Sequence, residues 1–162
     1  NMTCVSKSCT YVGADLRNVT VADALKSEPR FDPDAKTVYV IEGLIYYLHQ
    51  DDVDTLFKSL ADVASTGSKV IFDFTDHCII TSTCPDIYPA LTKIFLEILR
   101  VKKEPWYSGF ANGTVIPYME NYGFDTTELL SFQDARSPPL NVKSYEGSTL
   151  FGKMRFMTME RK

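Results

Sequence analysis

Glu42 is the residue whose place in the sequence most suggests chemistry. It follows the apolar run Thr37-Val38-Tyr39-Val40-Ile41 and precedes Gly43, which lets the backbone turn and come close to a ligand. In a parallel α/β sheet, ligands bind in the crevice beyond the carboxyl ends of the strands. A carboxylate at that end suits a ligand ammonium group, through charge-assisted hydrogen bonds. Asp15 stands at the same end of an earlier β-like run, Thr10-Tyr11-Val12-Gly13-Ala14, where it can accept hydrogen bonds from an amine. Asp73, inside the apolar Val70-Ile71-Phe72-Asp73-Phe74, ranks third, and capping a helix or closing a sheet end explains it equally well. Tyr46 and Tyr47 read as core and pocket wall. Trp106 and Tyr107 either line an acceptor pocket or simply pack.

Several kinds of chemistry are excluded. The eight glycines never stand two residues apart, so the sequence holds no G-x-G phosphate or cofactor turn. It has no G-x-S-x-G and no H-E-x-x-H, and with two histidines, His49 and His77, a Ser-His-Asp system has few candidates. His49 reads as a solvated residue beside a helix start. Cys78 and Cys84 miss the C-x2–4-C spacing of zinc sites, and Cys4 and Cys9 stand only at its upper limit, without a second such pair. Asp76, His77, Cys78 and Cys84 make a minor metal alternative, so no metal is assigned. The main expectation is four free thiols in a reducing compartment. Asn1, Asn18 and Asn112 each open an N-x-[ST] sequon and are read as fortuitous.

With 162 residues against a prior of ~150 per domain, residues 1–162 are expected to form a single domain. The 44% hydrophobic and 23% charged content argues for a globular chain rather than a disordered one. A formal charge of −4 without a basic run removes the footprint of nucleic-acid binding. No apolar run approaches the ~20 residues of a membrane span. The first residues lack the basic and apolar regions of a signal peptide, so a cytoplasmic location without membrane partners is expected.

These residues need elements to position them. The pattern alternates short β-like runs with helical periodicity, the mark of an α/β sheet with crossover helices. After the run at 10–14, residues 20–27 form a short helix with Thr20 as N-cap and Asp23 at its third position. The strand at 37–41 is apolar almost throughout, as a strand covered on both faces should be. A helix from Asp51 to Ala64 buries Val53, Leu56, Phe57 and Leu60, with Gly67 just beyond its end. Strand 70–74 completes a βαβ unit. A long helix from Asp86 to Lys102 is expected to bury Ile87, Leu91, Ile94, Phe95, Ile98 and Val101. A helix from Thr114 to Tyr122 stops at Gly123. Strands at 128–132 and 149–159, flanking Pro138-Pro139, are expected to add an antiparallel pair to the sheet.

The combination Asp15-Leu16-Arg17, Phe31-Asp32-Pro33, Val38-Tyr39-Val40-Ile41-Glu42-Gly43-Leu44-Ile45-Tyr46-Tyr47-Leu48 and Val70-Ile71-Phe72-Asp73-Phe74 resembles the leucine carboxyl methyltransferase family. Ser108-Gly109-Phe110 and Tyr122-Gly123-Phe124 resemble its C-terminal half, and the likeness covers most of residues 10–125. It implies an S-adenosylmethionine-dependent O-methyltransferase of the class I Rossmann-like fold. Asp15 and Leu16 would contact the adenine, Glu42 and Gly43 the methionine end of the cofactor, and Tyr46 the methyl-transfer pocket, as the catalytic residue. The acceptor would be a carboxyl or hydroxyl oxygen of a small molecule or protein.

The departures from that family are equally specific. Its glycine-rich loop after the first strand and its ribose-binding acid after the second are missing from this sequence. Within a strand order of 3-2-1-4-5-7-6, the chain is expected to supply strands 3 to 7 of a partial sheet with flanking helices, strands 1 and 2 being absent. An apolar fourth strand would then need cover from a homodimer, from a missing N-terminal half, or from strand 3. A non-catalytic interaction module is the alternative function, and the isolated chain is expected to be inactive.

Overall fold

A computed structural model of the chain describes residues 9–16, 18–131 and 151–162. Helix α1 (Val21–Lys26) starts where expected, the Thr20 hydroxyl accepting the Asp23 N–H at 3.1 Å. Strand β1 (Val38–Ile41) follows, then a single 3-10 turn over Ile45–Tyr47 and helix α2 (Gln50–Val63). Strand β2 (Lys69–Thr75) runs into a short helix α3 (His77–Thr81), capped by Asp76, whose carboxylate accepts the Cys78 N–H at 3.1 Å. Helices α4 (Pro89–Val101) and α5 (Val115–Asn121) precede strands β3 (Phe124–Ser131) and β4 (Met154–Arg161).

The four strands form one sheet in the order β1-β2-β4-β3. The β1–β2 pair is parallel, with Ile41 opposite Phe72, and the other two pairs are antiparallel. The last strand therefore inserts between β2 and β3, which is the 4-5-7-6 half of the order expected from the resemblance. The expected terminal antiparallel pair is present, although β3 starts earlier than expected, at Phe124. Phe132, Thr149, Leu150 and the Pro138-Pro139 loop lie outside the described residues.

One sheet face carries the core. Tyr39 and Ile41, Val70, Phe72 and Phe74, and Met157 and Met159 meet α1, α2 and α5 through Ala22, Phe57, Leu60 and Met119. The four apolar positions expected to face inward from α2 are all buried. The Phe57 and Phe72 rings lie 5.1 Å apart at the centre. Helix α1 is tied to α2 by the Ala22 N–H, which donates to the buried Ser59 hydroxyl at 2.8 Å.

Four expectations are corrected. Residues 10–14 form no strand and are exposed: a strand needs a partner for its backbone groups, and among the described residues none lies alongside them. Among the described residues strand β1 is covered on one face only: Val38 is 59% and Val40 65% exposed, and β1 pairs with β2 alone, at the sheet edge. Helix α4 packs through Thr92, Phe95 and Leu96 on a small cluster of Ile79, Cys84, Ile87 and Trp106. Its longer stripe of Leu91, Ile94, Ile98 and Val101 is exposed. Finally, Cys78 and Cys84 form a disulfide, which replaces two of the expected free thiols and removes both from any metal alternative.

The uneven cover predicts uneven sensitivity. Phe57→Ala, in the fully buried centre, should cost ~3–5 kcal/mol. Val40→Thr, on the open face, should stay within ~0.5 kcal/mol of the parent, both read by urea unfolding.

Candidate active site

The carboxyl ends of β1 and β2 gather Glu42, Gly43, Tyr46 and Asp73, and Gly43 shapes the turn there. Its φ of +64° is a left-handed conformation that side-chain-bearing residues rarely adopt. Its N–H donates to Asp73 Oδ1 at 2.7 Å, across to the neighbouring strand. Glu42, just before it, is exposed, while Asp73 is buried. The 3-10 turn then buries Ile45 fully and presents Tyr46.

A second segment, Pro105 to Phe110, lies over this end of the sheet. The Tyr107 N–H donates to the Tyr46 carbonyl at 2.7 Å, and the Ser108 hydroxyl to the Ile45 carbonyl at 2.7 Å. Further along, the Phe110 N–H donates to the Thr75 carbonyl at 3.1 Å. Gly109 must be a glycine there, since a Cβ would stand 2.7 Å from the Thr75 carbonyl oxygen. The Tyr46 ring packs on Trp106 at 4.3 Å and on Tyr47 at 4.9 Å. His49 stacks on Tyr107 at 4.0 Å, immediately before α2 and exposed, as expected for that position.

Tyr46 sits in a setting that opposes ionisation. Burial pushes its phenol up to about 12, and the charges of Asp73 and Glu42, with the Tyr47 phenol, add to the effect. At neutral pH it is a protonated, uncharged donor, so it cannot act as a resting general base.

Asp15 and Leu16 lie in a different part of the site. With Val21, Leu44, Leu48 and Asp52 they line a mainly apolar cavity of about 170 Å³ between the first residues, α1, α2 and the 3-10 turn. Leu44 and Leu48 belong to the same segment as Glu42, Gly43 and Tyr46, so one stretch of backbone borders both regions. Glu42 is not part of the cavity lining. The Asp15 carbonyl accepts the N–H groups of Asn18 and Val19 at 2.9 and 3.0 Å, and its carboxylate accepts the Asn18 amide at 3.1 Å. A volume below the ~300–1,000 Å³ of a complete small-molecule site fits one ring system rather than a whole nucleoside conjugate.

An opening of about 350 Å³ beyond β2 is bordered by Gln50, His77, Gly109 and Tyr118. Sequence reasoning did not find this group. Tyr118 hydrogen-bonds to Asp54, and burial together with that carboxylate raises its phenol well above the usual range. Sequence reasoning also missed the joining of Asp73 to Gly43. The available signal was an acidic residue inside an otherwise apolar strand.

Sequence comparison with known proteins bears on less than half of the chain. Residues 2–61 match the model of the leucine carboxyl methyltransferase family. A protein of Mycolicibacterium paratuberculosis (strain ATCC BAA-968 / K-10) named "Putative S-adenosyl-L-methionine-dependent methyltransferase" is 40% identical over 63 residues, which are 39% of this chain and 23% of that protein. One of the same name from Mycobacterium marinum is 38% identical over 63 residues, covering 39% of this chain and 20% of that protein. The chain thus spans less than a quarter of the length of the curated relatives it matches. Among solved structures, the mitomycin 7-O-methyltransferase MmcR is 15% identical with a TM-score of 0.48, covering 81% of this chain and 31% of that one. Magnesium protoporphyrin IX methyltransferase from Synechocystis PCC 6803, solved with bound SAH, is 12% identical with a TM-score of 0.47, covering 82% and 47%.

The Tyr46 environment carries a pH signature. A phenol raised on folding stabilises the fold fully below the ordinary tyrosine range near ~10, and that contribution is lost as pH climbs through its folded value. The phenolate absorbance missing in Tyr46→Phe should therefore appear near pH 12 in the parent. Stability between those pH values should fall more steeply in the parent than in the variant.

Proposed function

We propose that this chain is part of an S-adenosylmethionine-dependent O-methyltransferase domain, carrying the contacts to the adenine and to the methionine end of the cofactor. One observation carries this: every residue lining the 170 Å³ cavity falls inside the stretch that matches the leucine carboxyl methyltransferase model. Glu42, Gly43 and Tyr46 fall inside it too.

The donor set fits such a cofactor. The Asp15 carboxylate accepts from the exocyclic amine of adenine, the Leu16 backbone meets the ring edge, and Leu44 and Leu48 pack against the ring. The exposed Glu42 carboxylate holds the ammonium group of the methionine end, and Gly43 lets the backbone approach. Bound S-adenosylmethionine supplies an electrophilic methyl group on a sulfonium sulfur, so transfer to an oxygen asks for little acid–base machinery. Tyr46, neutral and packed on Trp106, orients the reacting groups and excludes water. The acceptor is a carboxyl or hydroxyl oxygen of a small molecule or a protein.

A second reading is favoured by the open face and edge of β1. There the chain acts as a half-domain that completes its sheet with an N-terminal half or with a second copy. The two are compatible, and in both the described residues belong to a single domain. Among the described residues no helix is long and apolar enough to cross a membrane. The reducing compartment expected with four free thiols loses that ground with the Cys78–Cys84 bond, since such bonds persist in oxidising surroundings.

Without a glycine-rich loop and a ribose acid, three or four hydrogen bonds are missing, each worth roughly 0.5–1.5 kcal/mol. A micromolar site near about −8 kcal/mol then becomes millimolar, and this chain is inactive without its complement. Titrating 15N-labelled chain with S-adenosylhomocysteine should move the amides of Asp15, Leu16, Leu44 and Leu48 with millimolar affinity. Unmoved resonances at saturating ligand would refute the cofactor assignment, and micromolar binding would refute the incompleteness.

A further inference from the structure

We propose that Asp73 is a positioning residue: by holding the Gly43 N–H it fixes the turn that aims Glu42 and Tyr46 at the methionine end of the cofactor. The role of that turn rests on the function proposed above. The hold on the turn rests on geometry that needs no ligand.

Asp73 is only 8% exposed, at the fifth position of a strand whose other residues, after the exposed Lys69, are apolar or threonine. A buried carboxylate is costly unless hydrogen bonds compensate it. Among the described residues no lysine or arginine pairs with it. Its compensation comes from the Gly43 N–H at 2.7 Å, a short charge-assisted bond to a residue 30 positions away in sequence. Gly43 is outside both β1 and the 3-10 turn, so neither ladder nor helix holds its amide. The carboxylate takes over that task from secondary structure.

The third member of the contact is Tyr46. Its hydroxyl lies 3.5 Å from where a Cβ on Gly43 would stand, so turn and phenol are fitted to each other. Asp73 also faces that phenol closely enough to oppose its ionisation. Glu42 directly precedes the clamped amide, so its direction follows from the same bond. An apolar residue at 73 would fill the strand equally well but would leave the left-handed turn without its anchor. A carboxylate here therefore serves the geometry of the turn more than the stability of the sheet.

The test uses the whole chain and its one tryptophan, Trp106, which packs on Tyr46. Asp73→Ala and Asp73→Asn are compared with the parent by circular dichroism, Trp106 emission, Tyr46 ionisation (assigned by difference from Tyr46→Phe) and the Gly43 amide resonance. The account expects folded variants in which Asp73→Ala shifts the Gly43 resonance and Trp106 emission and moves Tyr46 ionisation toward the ordinary tyrosine range. Asp73→Asn, whose amide oxygen still accepts from Gly43, should restore the emission and the Gly43 resonance while Tyr46 still ionises earlier. Asp73→Ala should also weaken S-adenosylhomocysteine binding about tenfold, with partial recovery in Asp73→Asn. If Asp73→Ala fails to fold, Asp73→Asn decides. A folded variant with Tyr46, Trp106 and Gly43 signals unchanged overturns the positioning role. So does a loss in Asp73→Asn as large as in Asp73→Ala. If the parent itself shows no response to S-adenosylhomocysteine, the cofactor assignment fails while the spectroscopic signals still judge Asp73.

Discussion

The hydrogen bond from the Gly43 N–H to the Asp73 carboxylate joins the end of one strand to the body of the next. Parallel strands cannot be connected by a tight hairpin, so beyond the last ladder pair, Ile41 opposite Phe72, their carboxyl ends are tied through crossovers and side chains. Here the crossover is α2, and the side chain is an aspartate pointing from β2 at the turn after β1. From that tie follow the left-handed Gly43, the seating of Tyr46 on Trp106, and the carbonyls of Ile45 and Tyr46 offered to the segment 105–110. The satellite cluster behind Trp106, closed by the Cys78–Cys84 bond, supports the same ring from the far side. Elements from residue 42 to residue 110 thus converge on one turn.

The rest of the molecule is an α/β sheet finished on one side. Helices α1, α2 and α5 cover one face and bury its aromatic and methionine side chains, while the outer face of β1 keeps Val38 and Val40 in water. An apolar edge strand with a free ladder invites another strand. The strand order β1-β2-β4-β3 is the half of the expected sheet that can close on its own, because an antiparallel β3–β4 pair needs only local chain to form. The resemblance would place further strands on the other side of β1, where the described residues supply none. Residues 10–14, β-like in sequence, form no strand with any of the described residues, yet their end still carries Asp15 and Leu16 to the cavity.

Much of this was legible in the residues. The run before Glu42-Gly43, the α2 stripe and the Gly67 and Gly123 stops mark their elements because period and turn chemistry are local properties. Glu42 and Gly43 stood out at a strand's carboxyl end for the same reason, whereas Tyr46 read as core and pocket wall and gained its role from the family resemblance alone. What was not legible depends on neighbours distant in sequence. The α4 periodicity reports two apolar sides without saying that one lacks cover. The apolar run of β1 reports compatibility with burial, not burial itself. Cys78 and Cys84 were too irregularly spaced for a metal site, but α3 and the loop after it bring their Cα atoms to 4.8 Å. Asp73 was visible as an acid in an apolar strand, while its partner, 30 residues earlier, required the register Ile41–Phe72.

Native-state hydrogen exchange at the Gly43 amide tests the central tie most directly. That amide belongs to no helix or strand, so its protection has to come from the Asp73 carboxylate. The account predicts that Gly43 exchanges as slowly as the hydrogen-bonded amides of β1 and loses that protection in Asp73→Ala. Exchange as fast as that of an exposed loop amide in the parent chain would contradict it.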